Sequence, residues 1–123
     1  MDKKNLFGEF VREKRLLAKI NLRRLAEILN IAPAYMSDIE NGHRYPPEKD
    51  KILKIAEALN LSQKDTDKLF DLAAGNKKNS VSPDIAEYIM EQDKSRVALR
   101  IARDKGAGEK EWEKIIRMLE DMD

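Results

Sequence analysis

Five short segments between residues 6 and 74 carry apolar residues at helical spacing, and turn-forming residues separate each segment from the next. The first segment runs from Leu6 to Ile20 and repeats apolar residues near positions i, i+3 and i+4. The members of its expected inner face are Phe7, Phe10, Val11, Leu17 and Ala18. Alternating strand patterns are almost absent, so the chain is predicted to be all-α.

Capping and turn residues set the limits of the second and third helices. Asn21 is suited to cap a helix over Leu22–Leu29, and Asn30 is suited to the turn that follows, because asparagine tolerates a left-handed backbone. Pro33 is expected in the first turn of the third helix, where a missing N–H is tolerated. That helix is predicted to end near Asn41-Gly42.

A fourth helix is predicted from Glu48 to Leu59, and a fifth begins after Ser62, which forms a capping-box pattern with Asp65. The residues of the fourth helix expected to face inward are Ile52, Leu53, Ile55, Ala56 and Leu59. The fifth helix supplies Leu69, Phe70, Leu72 and Ala73. Five helices are therefore complete by Ala74, and we place a first domain at residues 1–74.

Small, polar and basic residues at 75–82 predict a linker, and residues 83–123 are predicted to form a helical extension. Ser82-Pro83-Asp84 is a strong helix start, and a break is expected near Asp93. A last helix, Glu109 to Met122, places four apolar residues on one stripe: Trp112, Ile115, Ile116 and Leu119. The extension is expected to pack on the first domain, to dimerise it, or to receive a signal.

Composition argues against several classes of protein. The chain has no cysteine, which excludes disulfides, thiolate zinc sites and cysteine nucleophiles. Its one histidine, His43, lies in a loop, and neither a Gly-rich phosphate loop nor a catalytic carboxylate pair stands out. We therefore expect no enzyme, no cofactor and no metal site. The chain start lacks an apolar signal region and no long apolar run follows, so we expect a cytoplasmic protein without a membrane span.

Positive charge is concentrated between Arg12 and Arg24, where the only acid is Glu13. The six cations of this cluster are Arg12, Lys14, Arg15, Lys19, Arg23 and Arg24. Such a cluster attracts phosphates even when the whole protein is almost neutral. A solvated helix face is the alternative interpretation.

The second and third predicted helices meet the requirements of a helix-turn-helix, whose second helix enters the DNA major groove. Ala26 is a small residue where the helices cross, and Ile31 is an apolar residue for the turn. Met36 and Ile39 are apolar anchors three residues apart, and Glu40-Asn41-Gly42 provides a sharp stop.

The string LRRLAEILNIAPAYMSDIENGHRYPPEKDKILKIAEALNL carries these elements in order and strongly resembles the Xre family, the Cro and phage-repressor type of helix-turn-helix. The resemblance covers about residues 5–72. It implies a lambda-repressor-like five-helix domain and a sequence-specific, DNA-binding transcriptional regulator, more specifically a repressor. In such a protein the third helix, residues 33–41, is expected to enter the major groove.

The resemblance also implies roles for individual residues. Arg15 is expected to pair with Glu40 and brace the first helix against the third. Base contacts are expected from Ala34, Tyr35, Ser37 and Asp38. Phosphate contacts are expected from Lys19, Asn21, Arg23, Arg24, His43 and Arg44. This reading face carries no arginine for a bidentate guanine contact, so sequence specificity is expected to be modest or partly shape-based.

Double-stranded DNA is the expected partner, read by a homodimer whose two recognition helices lie about 34 Å apart, one turn of DNA. The C-terminal helices are a further candidate site for a protein partner or effector. The alternative interpretation is a repressor-fold interaction module, such as an antitoxin or a phage accessory protein, with weak or no DNA binding. The absence of a basic residue from the reading face motivates that alternative.

Overall fold

The computed structural model describes residues 5–75 and 80–123, and every regular element in those ranges is an α-helix, which confirms the all-α prediction. The helices are α1 Leu6–Leu17, α2 Leu22–Leu29, α3 Pro33–Asn41, α4 Lys49–Ala58, α5 Gln63–Ala74, α6 Pro83–Glu91, α7 Asp93–Lys105 and α8 Glu109–Glu120. The chain divides into two units, Met1–Ala86 and Glu87–Asp123, each described by itself.

The first five helices surround one apolar core. Helix α2 packs on α3 and α4, α1 packs on α3 and α5, and α4 packs on α5. The side chains that fill the core are Phe7, Phe10, Val11, Leu25, Ala26, Leu29, Met36, Ile39, Ile52, Ile55, Leu59, Leu69, Phe70 and Ala73. The predicted five-helix domain, followed by a helical extension, is confirmed.

Helices α1, α2 and α4 end in the same way, on a left-handed residue that is not glycine. These residues are Lys19 (φ 58°), Asn30 (φ 57°) and Asn60 (φ 52°). The next residue's amide then donates back into the helix, as Ile31 N does to Ala26 O at 3.0 Å. The residues after the three turns are Ile20, Ile31 and Leu61, and all pack against the core. The apolar side chain after each turn therefore fixes where the chain leaves the helix.

Two details of the sequence prediction are wrong. Helix α1 does not continue to Ile20 but ends at Leu17, because the left-handed turn at Lys19 reverses the chain. As a result Leu17 is exposed rather than inward-facing, and so is Ala18. In α4, Leu53 is 46% exposed, since the i, i+3, i+4, i+7 stripe that begins at Ile52 already fills the contact with the core.

The predicted linker, residues 75–82, lies partly outside the described residues, so its limits stay a prediction. Helix α6 begins at Pro83, and the expected break appears between α6 and α7, where Ser95 Oγ donates to Ile89 O at 3.2 Å. Left-handed Gly106 (φ 70°) ends α7. Residues 87–123 are all described, and none of them is buried.

The start of α1 lies against the end of α3. Asn5 caps α1 by accepting from Gly8 N at 3.2 Å, and its amide also donates to the carbonyl oxygen of Glu40. A Cβ on Gly8 would lie 2.4 Å from that carbonyl oxygen. Glycine is therefore required at position 8 by the close approach of two backbones.

Gly8→Ala is expected to lower the free energy of unfolding by about 1–3 kcal/mol, because the added methyl group meets a backbone atom that has no room to move. This loss outweighs the gain of about 1 kcal/mol that alanine usually brings inside a helix. Gly75→Ala is the matched control, since its Cβ would make only ordinary 3.5 Å contacts. Urea denaturation followed by circular dichroism measures both, and equal midpoints would contradict the close approach.

Candidate nucleic-acid interface

Helices α2 and α3 form a rigid pair joined by the turn at Asn30. Ala26 and Met36 are fully buried, Ile39 is 1% exposed, and Ile31 packs partly buried against the same core. The small side chain at position 26 lets the two helices approach closely. The outward face of α3 is therefore held in one orientation by the core beneath it.

The structure places Arg15 directly beside Glu40, whose side chain has no solvent exposure. Arg15 Nε donates to Glu40 Oε2 at 2.7 Å and Nη2 donates to Oε1 at 3.0 Å, in a two-pronged ion pair. Arg15 Nη1 also donates to the carbonyl oxygen of Ile20 at 3.1 Å. The pKa of Arg15 is raised above its ordinary value, mainly by the hydrogen bonds to Glu40. Burial of the guanidinium group acts in the opposite direction and lowers the pKa. Arg15 therefore stays charged at any ordinary pH.

Arg12 joins this pair, although the sequence predicted it only as a member of the basic cluster and not as a partner of Glu40. Its Nε lies 3.4 Å from Glu40 Oε1, and its Nη2 donates to the side-chain oxygen of Asn41. Asn41 Nδ2 in turn donates to Ser37 Oγ at 3.3 Å. The position of Arg12 three residues before Arg15, on the same helix face, was the available signal.

The predicted base-contacting residues lie on α3 and remain accessible to a ligand. Ala34 and Tyr35 are exposed, and Ser37 and Asp38 are half-buried. The Arg44 guanidinium lies 4.8 Å from the centre of the Tyr35 ring. This stacking brings a loop residue into contact with the reading face.

The side chains of His43 and Arg44, in the loop that follows α3, flank Asp38. His43 Nδ1 and Arg44 Nε each lie 3.9 Å from one of its carboxylate oxygens. A nearby cation reduces the repulsion that an isolated carboxylate would meet beside phosphates. The acid on the reading face is therefore partly compensated within the protein.

The predicted phosphate-contacting residues fall into two groups along the chain. His43 and Arg44 lie in the loop after α3, and the other four lie at or near the start of α2. Asn21 caps α2 by accepting from Arg24 N at 2.7 Å, while Lys19 and Arg23 are exposed. Arg24 pairs with Glu27 at 2.7 Å, an exposed contact that contributes little stability and is easily exchanged for another anion.

The basic cluster from Arg12 to Arg24 does not form one free cationic surface. Arg12 and Arg15 are paired with Glu40, and Lys14 Nζ lies 3.1 Å from Asp65 Oδ2. Three of its six cations are therefore held by acids that lie far away in the sequence. The remaining cations are Lys19, Arg23 and Arg24.

Two other kinds of site were searched for in the described residues. No group of three or more histidine, aspartate or glutamate side chains is arranged there to hold a metal ion. Within the same ranges no helix combines the length and the apolar content that crossing a membrane requires.

Comparison with known proteins gives a match to part of the first domain. Residues 11–62 match the helix-turn-helix family, which confirms the resemblance seen in the sequence. Two proteins of Mycobacterium tuberculosis, named as uncharacterized HTH-type transcriptional regulators, are each 38% identical to this chain over 55 residues. The match covers 45% of this chain and 39% of each relative, so the chain spans well under half the length of the relatives it matches.

A solved structure is also similar, the clp gene regulator ClgR from C. glutamicum. It has a TM-score of 0.48 and 23% identity, and the alignment covers 64% of this chain and 100% of that chain.

Replacing Arg15 by methionine is expected to destabilise the protein by about 3–5 kcal/mol, because the Glu40 carboxylate would be left buried with only the weaker Arg12 contact. Arg24→Met is the matched control, since it removes an exposed pair worth about 0–1 kcal/mol. Guanidinium denaturation of both variants measures the difference. Equal losses of stability would show that the buried pair does not hold α1 to α3.

Proposed function

We propose that this chain, whose residues 11–62 match the helix-turn-helix family, is a sequence-specific, DNA-binding transcriptional regulator that acts as a repressor. The observation that carries the proposal is the pairing of α2 and α3 on a buried core, with an accessible outer face on α3. In this proposal α3 enters the major groove, as the second helix of such a unit does. The N-terminus of α2 faces the DNA backbone.

Base contacts are proposed for the four accessible residues of α3. The Ala34 methyl group and the Tyr35 ring suit the methyl group of thymine, and the Asp38 carboxylate suits the amino group of cytosine. Ser37 offers a hydroxyl group to a base edge. Because none of these contacts is a bidentate arginine contact, DNA shape is expected to contribute part of the specificity.

Phosphate contacts are proposed for Lys19, Asn21, Arg23, Arg24, His43 and Arg44. The first N–H groups of α2 point out of the helix, and an anion is favoured there by the helix dipole. Arg23 and Arg24 add full charges within that first turn. Neutralising phosphates releases bound counterions, so these contacts are expected to supply most of the affinity and to make it depend on salt.

We propose that residues 1–74 bind DNA, that residues 75–82 form a linker and that residues 83–123 dimerise. Helix α8 carries large apolar side chains that remain exposed, among them Ile116 at 52% and Leu119 at 54%. Burying such side chains against a second copy is favourable. A homodimer also doubles the length of DNA that is read, which fits a regulator with a small recognition helix.

The double variant Arg23→Ala/Arg24→Ala is expected to reduce the slope of log affinity against log salt by about 1.8, which is about 0.9 for each lost phosphate contact. Binding to duplex DNA across a salt series, measured by fluorescence anisotropy, gives this slope. The matched control Lys54→Ala/Lys64→Ala removes the same charge from exposed positions on α4 and α5 and is expected to leave the slope unchanged. If the unaltered chain retains no duplex at low salt, the protein-interaction alternative replaces this proposal.

Ile116→Glu combined with Leu119→Glu is expected to convert the dimer to a monomer, because two charges would replace apolar side chains at the interface. Sedimentation equilibrium gives the mass, and the denaturation midpoint of the core reports whether the first domain remains folded. Lys114→Glu is the control, since it replaces a positive by a negative charge on the opposite side of α8. A monomeric unaltered chain, or a dimer that both glutamates leave intact, would remove α8 from the proposed interface.

A further inference from the structure

A chain of hydrogen bonds leads from the buried ion pair to the reading face of α3. Arg12 contacts Glu40 through Nε and donates to the side-chain oxygen of Asn41 through Nη2. Asn41 Nδ2 then donates to Ser37 Oγ at 3.3 Å. Ser37 is thus connected through two side chains to Glu40, a residue with no side-chain exposure.

Arg12 determines which way the Asn41 amide faces. A guanidinium group has only donors, so the atom of Asn41 that it contacts must be the oxygen. The amide nitrogen is then the atom that remains for Ser37, one helical turn earlier on the same side of α3. Without Arg12, the Asn41 amide would be free to rotate by half a turn and exchange its oxygen and nitrogen. The contact with Arg12 therefore fixes the Asn41 amide nitrogen as the donor to Ser37.

The amide nitrogen in turn limits what the Ser37 hydroxyl offers to a ligand. A hydroxyl group has one proton and two lone pairs, and a hydroxyl that accepts from an amide directs its own proton away from that amide. The proton is consequently available to an acceptor outside the protein, while one of the two lone pairs is already occupied.

We propose that Arg12 and Asn41 are positioning residues that present Ser37 to the major groove as a hydrogen-bond donor, and that Ser37 thereby selects against cytosine at one base position. This inference rests on the proposed entry of α3 into the major groove. Guanine, adenine and thymine each offer an acceptor there, whereas cytosine offers only the donor N4. Specificity at this position then depends on hydrogen-bond polarity and needs no charged reading residue.

The test is selection of binding sites from a random duplex library by the full chain, followed by sequencing. Unaltered protein is expected to deplete cytosine about fivefold at one position, the ratio that one net hydrogen bond supports. Ser37→Ala is expected to make that position neutral. Arg12→Met frees the Asn41 amide to rotate and is expected to weaken the depletion, while Arg15 keeps its two bonds to Glu40.

Asn41→Asp is the decisive variant, because a carboxylate has only acceptors. Ser37 would then donate to residue 41 and offer a lone pair to the groove, so the cytosine fraction at that position is expected to rise above its library value. Asn60→Asp adds the same charge at an exposed turn between α4 and α5, and it is expected to leave the base preferences unchanged.

The outcomes separate this inference from the function on which it rests. Depletion of cytosine that Ser37→Ala removes and Asn41→Asp reverses would support the inference. Retained DNA binding with the same base preferences in the unaltered protein, Ser37→Ala and Asn41→Asp would overturn it and leave the regulator intact. Failure of the unaltered chain to select or retain any duplex would overturn both.

Discussion

The ion pair between Arg15 and Glu40 is the interaction on which the arrangement of the first domain depends. A carboxylate without solvent exposure is costly by several kcal/mol unless it is paired and hydrogen-bonded, and Arg15 supplies two short bonds to it. The pair joins the end of α1 to the end of α3, while the carbonyl oxygen of Glu40 accepts from Asn5 at the beginning of α1. Helix α3 is therefore held at one residue by both its side chain and its backbone, and its outer face has little freedom to turn.

The limits of the helices could be predicted wherever a local backbone requirement sets them. Asn30 and Gly42 adopt the left-handed conformation that asparagine tolerates and that glycine, without a Cβ, adopts freely, and Pro33 opens α3 as expected. The end of α1 was not predictable in this way, because the lysine side chain at position 19 does not favour a positive φ. The position of this turn is instead set by the apolar contact of Ile20 with the core. That contact is a tertiary interaction, which local sequence does not reveal.

Within the candidate site, the pairing of Arg15 with Glu40 was predictable, whereas the other contacts between side chains were not. The resemblance gave Arg15 and Glu40, and the structure places them together, whereas the charge pattern treated six cations as one cluster. Three of those cations pair with Glu40 or Asp65. In each of these pairs the two residues lie 25 or more positions apart in the sequence. Periodicity identifies the face of a helix, but it does not identify which distant side chain that face meets. For this reason neither the link from Arg12 to Asn41 nor the stacking of Arg44 on Tyr35 could be read from the sequence.

The extension differs from the first domain in how little of its apolar surface is covered. Residues 87–123 form helices without a buried residue, although isolated helices of this length are marginal in water. Such a segment gains most of its stability from whatever covers its apolar side chains. If a second copy covers them, folding of the extension and dimerisation are one equilibrium, and both depend on protein concentration. In the proposed dimer, two copies of α3 would bind DNA together far better than one, so occupancy of a two-fold site would rise steeply with the amount of protein. In the proposed dimer, the weakly covered extension, rather than the tightly held α3, would set the protein concentration at which DNA is bound.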